Sequence, residues 1–70
     1  MSKTLRFKAF CFEMYKAEKG MTGMVTQELF ERYKVFEYLD AFYGVLHTMG
    51  HRYIINDIDL YIEARTTPKN

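Results

Sequence analysis

One cysteine, Cys11, and one proline, Pro68, stand in a chain of 70 residues. A lone thiol closes no intramolecular disulfide and makes no cysteine cluster for zinc, so neither staple supports the fold. The proline falls in the closing "TTPKN", which has no apolar residue, and residues 66–70 are expected to fray. Glycine is scarce, four in all, and nowhere gathered into a phosphate-cradling loop; Ser2 is the one serine. Charge of one sign is also missing. Ten basic and nine acidic residues leave a formal net charge of +1, so no overall field draws in nucleic acid or an anionic membrane. No apolar run approaches the ~20 residues that span a bilayer. The basic and then apolar N-terminus resembles the start of a secretory leader, but Glu13 and Lys16 break the run and no small-residue cleavage site follows. The expectation is a soluble, cytoplasmic protein, which suits a single unpaired thiol.

What the chain does have is apolar material: 49% of residues are hydrophobic and 17% aromatic. A chain of this length buries only about 60% of the surface that its unfolded state exposes. Without staples it depends on efficient packing or on self-association. Part of the apolar surface is therefore expected to face another chain, a homodimer being one form. Charge is unevenly spread along the sequence. Lys3, Arg6, Lys8, Lys16 and Lys19 outweigh Glu13 and Glu18 up to Gly20, while Glu28, Glu31, Glu37 and Asp40 outweigh Arg32 and Lys34 from 21 to 50.

Helical periodicity runs through the whole chain, and the reading is an all-α protein: a compact bundle of four short helices, about 4–19, 23–33, 36–48 and 52–65, in a single domain over 1–65. In the first, Phe7, Phe10, Cys11, Met14 and Ala17 form one stripe and Leu5, Ala9 and Phe12 a second. Gly20 after lysines marks its end. Thr22 is the next N-cap, or Thr26 if that helix begins later; Met24 or Val25, Leu29, Phe30 and Tyr33 supply its apolar face. The third segment carries Phe36, Leu39, Tyr43 and Leu46 beside Val35, Tyr38, Phe42, Val45 and Met49. So wide an arc predicts the central, most buried helix. Gly44 inside it costs about 1 kcal/mol against alanine, which points to a close helix crossing there. Ile54, Ile55, Ile58, Tyr61 and Ile62 give the fourth helix its face.

Three kinds of chemistry bear on these elements. His47 and His51 have the i, i+4 spacing of zinc-enzyme helices, but Thr48 stands where the general base would follow, and Gly50 falls between them at a helix end. The expectation is no metal: His47 in a last helical turn, Gly50 in a left-handed cap. A DNA-reading helix needs basic or amide side chains, and the third segment offers Glu37 and Asp40 instead. Only the basic first helix offers a surface for phosphates, and it would bind without sequence preference. For catalysis there is no paired carboxylate, since Asp57 and Asp59 fall on different helix faces. Cys11, between Phe10 and Phe12, is placed to act as a small hydrophobe rather than a nucleophile.

"FYGVLHTMGHRYIINDI" carries a resemblance. Tyr43, Leu46, His47, Thr48 and Gly50, followed by Tyr53, Ile54, Asp57 and Ile58, resemble the core pattern of small bacterial proteins grouped as domain of unknown function 3791. "TGMVTQELFERYKVFEYL" is similar to that family's second helix and its link into the third, and the likeness runs from about Phe7 to Glu63. The resemblance implies an all-helical protein of bacteria and their mobile elements, with genes often beside those of putative toxins, and no catalytic or cofactor-binding residues. The expected function is a non-enzymatic protein–protein interaction module, antitoxin-like or accessory to a toxin-antitoxin or mobile-element locus, with no cofactor. Its expected partner is a protein, such as a toxin encoded by the neighbouring gene, and nucleic acid and membrane are not expected partners. Phe12, Tyr15, Tyr38 and Phe42 are the expected anchors, while His47, Gly50 and Asp57 form a structural turn in which His47 is expected to bond to Asp57. The alternative is a small dimeric DNA-binding regulator that uses the basic first helix.

Overall fold

The computed structural model describes residues 2–66, which form five α-helices and no strand. Helix α1 spans Lys3–Lys19 and starts at Ser2, whose Oγ accepts from the Leu5 amide at 3.0 Å. It stops at Gly20, where φ is +64° and the Gly20 and Met21 amides return to the Ala17 and Lys16 carbonyls. Glycine enters this left-handed region without the Cβ penalty other residues meet. Helix α2 spans Gly23–Arg32, and Thr22 is its cap, accepting from the Val25 amide at 3.1 Å. Thr26, the other candidate cap, is instead fully buried and returns its hydroxyl to the Thr22 carbonyl at 2.8 Å.

The third expected helix is two. Helix α3 spans Val35–Ala41 and α4 spans Tyr43–Leu46, parted at Phe42, where φ −109° and ψ 20° leave the helical range. Gly44, a poor helix former, follows two residues on. Residues 47–50 are then a turn rather than a helical end. The expected role of Gly44 at a crossing is overturned, because a Cβ built there meets nothing within 4 Å. Nor is this segment the most buried, for Phe42 and Val45 are 51% and 55% exposed. Helix α5 spans His51–Thr66, so Thr66, read as the first residue of the tail, is helical. The rest of the expected frayed tail, residues 67–70, lies outside the described residues.

Between α2 and α3, Lys34 adopts φ 56° with a side chain that gains nothing from the left-handed region. Its carbonyl and that of Tyr33 are covered by the Tyr61 hydroxyl, at 3.2 and 2.8 Å, and the Arg65 guanidinium lies over the Tyr61 ring. Helix α5 thus holds the α2–α3 joint. The core gathers Cys11 and Tyr15 of α1, Phe30 of α2, Val35 and Leu39 of α3, Leu46 of α4, and Ile54, Ile55 and Ile58 of α5. Phe10 and Ala17 of the first stripe lie exposed. No helix among the described residues is long and apolar enough to cross a membrane.

Candidate functional site

Two aspartates of α5 tie it to its neighbours. Asp59 accepts from the Tyr15 hydroxyl at 2.6 Å and from Lys19 Nζ at 2.7 Å, joining α5 to α1. Asp57 accepts from the Tyr38 hydroxyl, joining α5 to α3, and the Tyr38 ring stacks on Tyr61 with centroids 4.1 Å apart. Burial pushes the Tyr38 phenol up to about 12, helped by the bond to Asp57, that carboxylate's charge and the neighbouring Tyr53 and Tyr61. Burial and Asp59 push Tyr15 up further still. Both phenols stay neutral over the physiological range and tie α5 to α1 and α3. Burial likewise pushes the Cys11 thiol up to about 12, so little reactive thiolate forms.

These ties correct the expected turn. His47 does not bond to Asp57. Its Nδ1 lies 2.7 Å from the Tyr43 carbonyl, an acceptor only, so the ring donates there, and the imidazole stacks on Tyr43 at 4.4 Å. Asp57 is drawn instead to a phenol 19 residues back in the chain. Gly50 takes no left-handed conformation, since the positive φ values belong to Gly20 and Lys34. Its carbonyl receives the Ile54 amide at 3.1 Å, so it precedes α5 as the residue that starts it. His47 sits in the turn and His51 opens α5, so the two imidazoles share no continuous helix. No group of three His, Cys, Asp or Glu side chains placed to hold a metal occurs among the described residues.

The four expected anchors do not come together. Tyr15 is only 4% exposed, packed on Phe30. Tyr38 is half-buried on the side of α3 that faces Tyr61, with exposed Phe42 beside it at 5.0 Å. Phe12 lies on the other side, meeting Phe30 edge-on at 5.6 Å and stacking with Phe36 at 6.0 Å. Phe12 and Phe36 belong to an open groove of about 370 Å³ between α1, α2 and α3. Ala9 and Leu5 continue its apolar lining, and Lys8, Glu13 and Gln27 give it polar side chains. Leu5, Ala9 and Phe12 are the second stripe legible in the first helix. Phe36 was legible only as part of a wide arc. An apolar groove with polar side chains around it offers an apolar segment of another molecule a place to bury its surface while water reaches the edges.

The basic residues of α1 are mostly engaged. Lys8 meets Asp40 at 3.8 Å, Lys16 meets Glu13 at 3.0 Å and Lys19 meets Asp59 at 2.7 Å, while Arg52 of α5 meets Glu18 at 3.0 Å. Exposed pairs like these stabilise little, but they occupy charges that a phosphate backbone would need.

Neither a curated protein nor a solved structure matches the chain. A family model described as "Protein of unknown function (DUF3791)" matches residues 6–65, which takes in the turn, the aspartate ties and most of the groove. The chain belongs to the DUF3791 family.

Proposed function

We propose that this cytoplasmic chain is a non-enzymatic protein-interaction module, the small antitoxin-like or accessory partner of a protein encoded by a neighbouring gene. The groove lined by Leu5, Ala9, Phe12 and Phe36 carries the reading. Leu5 is 49% exposed at its edge although the core already holds nine buried apolar residues. An apolar segment of the partner laid along α1 removes that surface from water. Phe42 supplies a second exposed aromatic contact on the far side of α3. Nothing in this mechanism needs a reacting group: the buried Tyr15, the half-buried Tyr38 and the buried thiol serve as structure.

Co-expression with the neighbouring gene product, followed by size-exclusion chromatography with light scattering, tests the reading. A stoichiometric complex is expected. Ala9→Glu, a substitution on the exposed part of α1 that leaves the core untouched, is expected to abolish it, because a carboxylate then enters the apolar groove. Leu60→Glu, on a 64% exposed position of α5, is expected to leave it intact. A complex that survives both Ala9→Glu and Leu5→Glu rules out the groove. A concentration-independent homodimer that ignores the neighbour assigns the apolar surface to self-association.

A further inference from the structure

A second concavity, of about 510 Å³, lies on the opposite flank of α1 from the groove, between the first half of that helix, α4 and the start of α5. The helical spacing explains why the two are separate. Lys3, Arg6, Phe7 and Phe10 line this one, whereas Leu5, Lys8, Ala9 and Phe12 line the other, and the buried stripe through Cys11 and Tyr15 runs between them.

Four of its lining side chains, Lys3, Arg6, His47 and His51, are basic, and none is acidic. This is a local excess in a chain whose basic and acidic residues nearly balance. Lys3 and Arg6 meet no carboxylate among the described residues, while Lys8, Lys16 and Lys19 further along the same helix each do. The apolar side is as well defined. Tyr43 meets Phe7 edge-on at 5.3 Å and stacks with His47, and Phe10 packs on His51 at 5.2 Å. Buried Ile54 lies beneath. Because His47 Nδ1 is spent on the Tyr43 carbonyl, Nε2 is the ring atom left for a ligand. His51 is also the first residue of α5, and Gly50 before it has no side chain with which to cap the opening amides, so the positive end of that helix adds to the field.

Unpaired cations beside aromatic rings, in a volume within the range of small-molecule sites, select a particular chemistry. The charges call for a phosphate and the rings for something flat to lie against them. The geometry points to a binding site for a nucleoside monophosphate, its phosphate held by Lys3 and Arg6 and its base set against the ring pairs. This site is separate from the partner groove and does not depend on it.

The test is a titration of the isotope-labelled full chain, alone and at low salt, followed by its amide and imidazole NMR signals. AMP is expected to give saturable shifts centred on Lys3, Arg6, His47 and His51. Adenosine and inorganic phosphate are each expected to bind at least about tenfold more weakly, since each offers half of the chemistry. Arg6→Gln and Lys3→Gln are exposed changes that leave the core alone, and each is expected to weaken AMP about three- to tenfold. Lys16→Gln, at the other end of α1, is expected to leave AMP binding unchanged. Absence of saturation at low millimolar AMP overturns the assignment. So does inorganic phosphate binding as tightly as AMP, which shows a general anion surface, or AMP binding unaltered by both site variants. Shifts at the same residues from a duplex oligonucleotide as strong as those from AMP also overturn it, in favour of the polymer.

Discussion

Asp57 and Asp59, two residues apart on α5, each take the proton side of a tyrosine hydroxyl from a different helix. Each tie satisfies a part-buried phenol and a carboxylate at once, and each makes folding sensitive to alkaline pH. Tyr38 is held up to about 12, against about 10 in an unfolded chain. Between those values the folded protein keeps a proton that the unfolded chain has released. The stabilisation is therefore complete below about pH 10 and fades as the pH rises toward 12. Tyr15 shifts in the same direction. The urea midpoint is expected to fall as the pH is raised from about 9 to about 11.5, and to fall less steeply in Tyr38→Phe. Parallel falls in the two proteins reject the linkage. Asp57 was legible as a residue of the α4–α5 region, but its partner was not. Periodicity says which residues share a face of one helix, and it is silent on which hydroxyl of another helix meets a carboxylate across the core. Lys3, Arg6, His47 and His51 converge through the same kind of tertiary contact, which is why spacing alone raised a metal question about the two histidines instead.

At the scale of the element, two glycines that look alike in sequence do opposite work. Gly20 holds φ +64°, and Gly44 sits within α4 with empty space where its Cβ would be. Gly20→Ala is expected to destabilise the protein by about 1 kcal/mol, through the left-handed backbone alone. Gly44→Ala is expected to stabilise it by about 0.5–1 kcal/mol, through helix propensity. Urea midpoints for the pair separate the two cases, and a loss of stability in Gly44→Ala shows that the short α4 needs glycine's freedom. The C-terminal end of α1 and the start of α2 could be read from the chain because caps are local: a glycine after lysines, a threonine before the helix. The break at Phe42 could not, because the apolar pattern runs on through it and no breaker stands at that residue. The α2–α3 joint was legible, falling between the expected helices 23–33 and 36–48, but the left-handed backbone of Lys34 was not. There the Tyr61 hydroxyl of α5 donates to the Tyr33 and Lys34 carbonyls, the second of which also accepts the Tyr38 amide.

For the molecule as a whole, an all-helical bundle follows from repeated 3.6-residue spacing, but which stripes meet follows only from packing five short helices together. Phe30 shows the consequence. In sequence it is one of several apolar residues on a ten-residue helix; in the fold it is fully buried, with Phe12, Tyr15 and Phe36 ring centroids 5.6, 5.5 and 5.1 Å away. It joins α1, α2 and α3 at a point where no intramolecular disulfide shares the load. A 70-residue domain has a total stability of roughly 4–10 kcal/mol. Removing a buried phenylalanine ring typically costs about 3–5 kcal/mol. Phe30→Ala is therefore expected to consume most of that margin, leaving the chain substantially unfolded near 37 °C by far-ultraviolet circular dichroism. Leu60→Ala removes a side chain that is 64% exposed and is expected to change the melting curve little. If Phe30→Ala melts within a few degrees of Leu60→Ala, the aromatic cluster at Phe30 is not what holds the first three helices together.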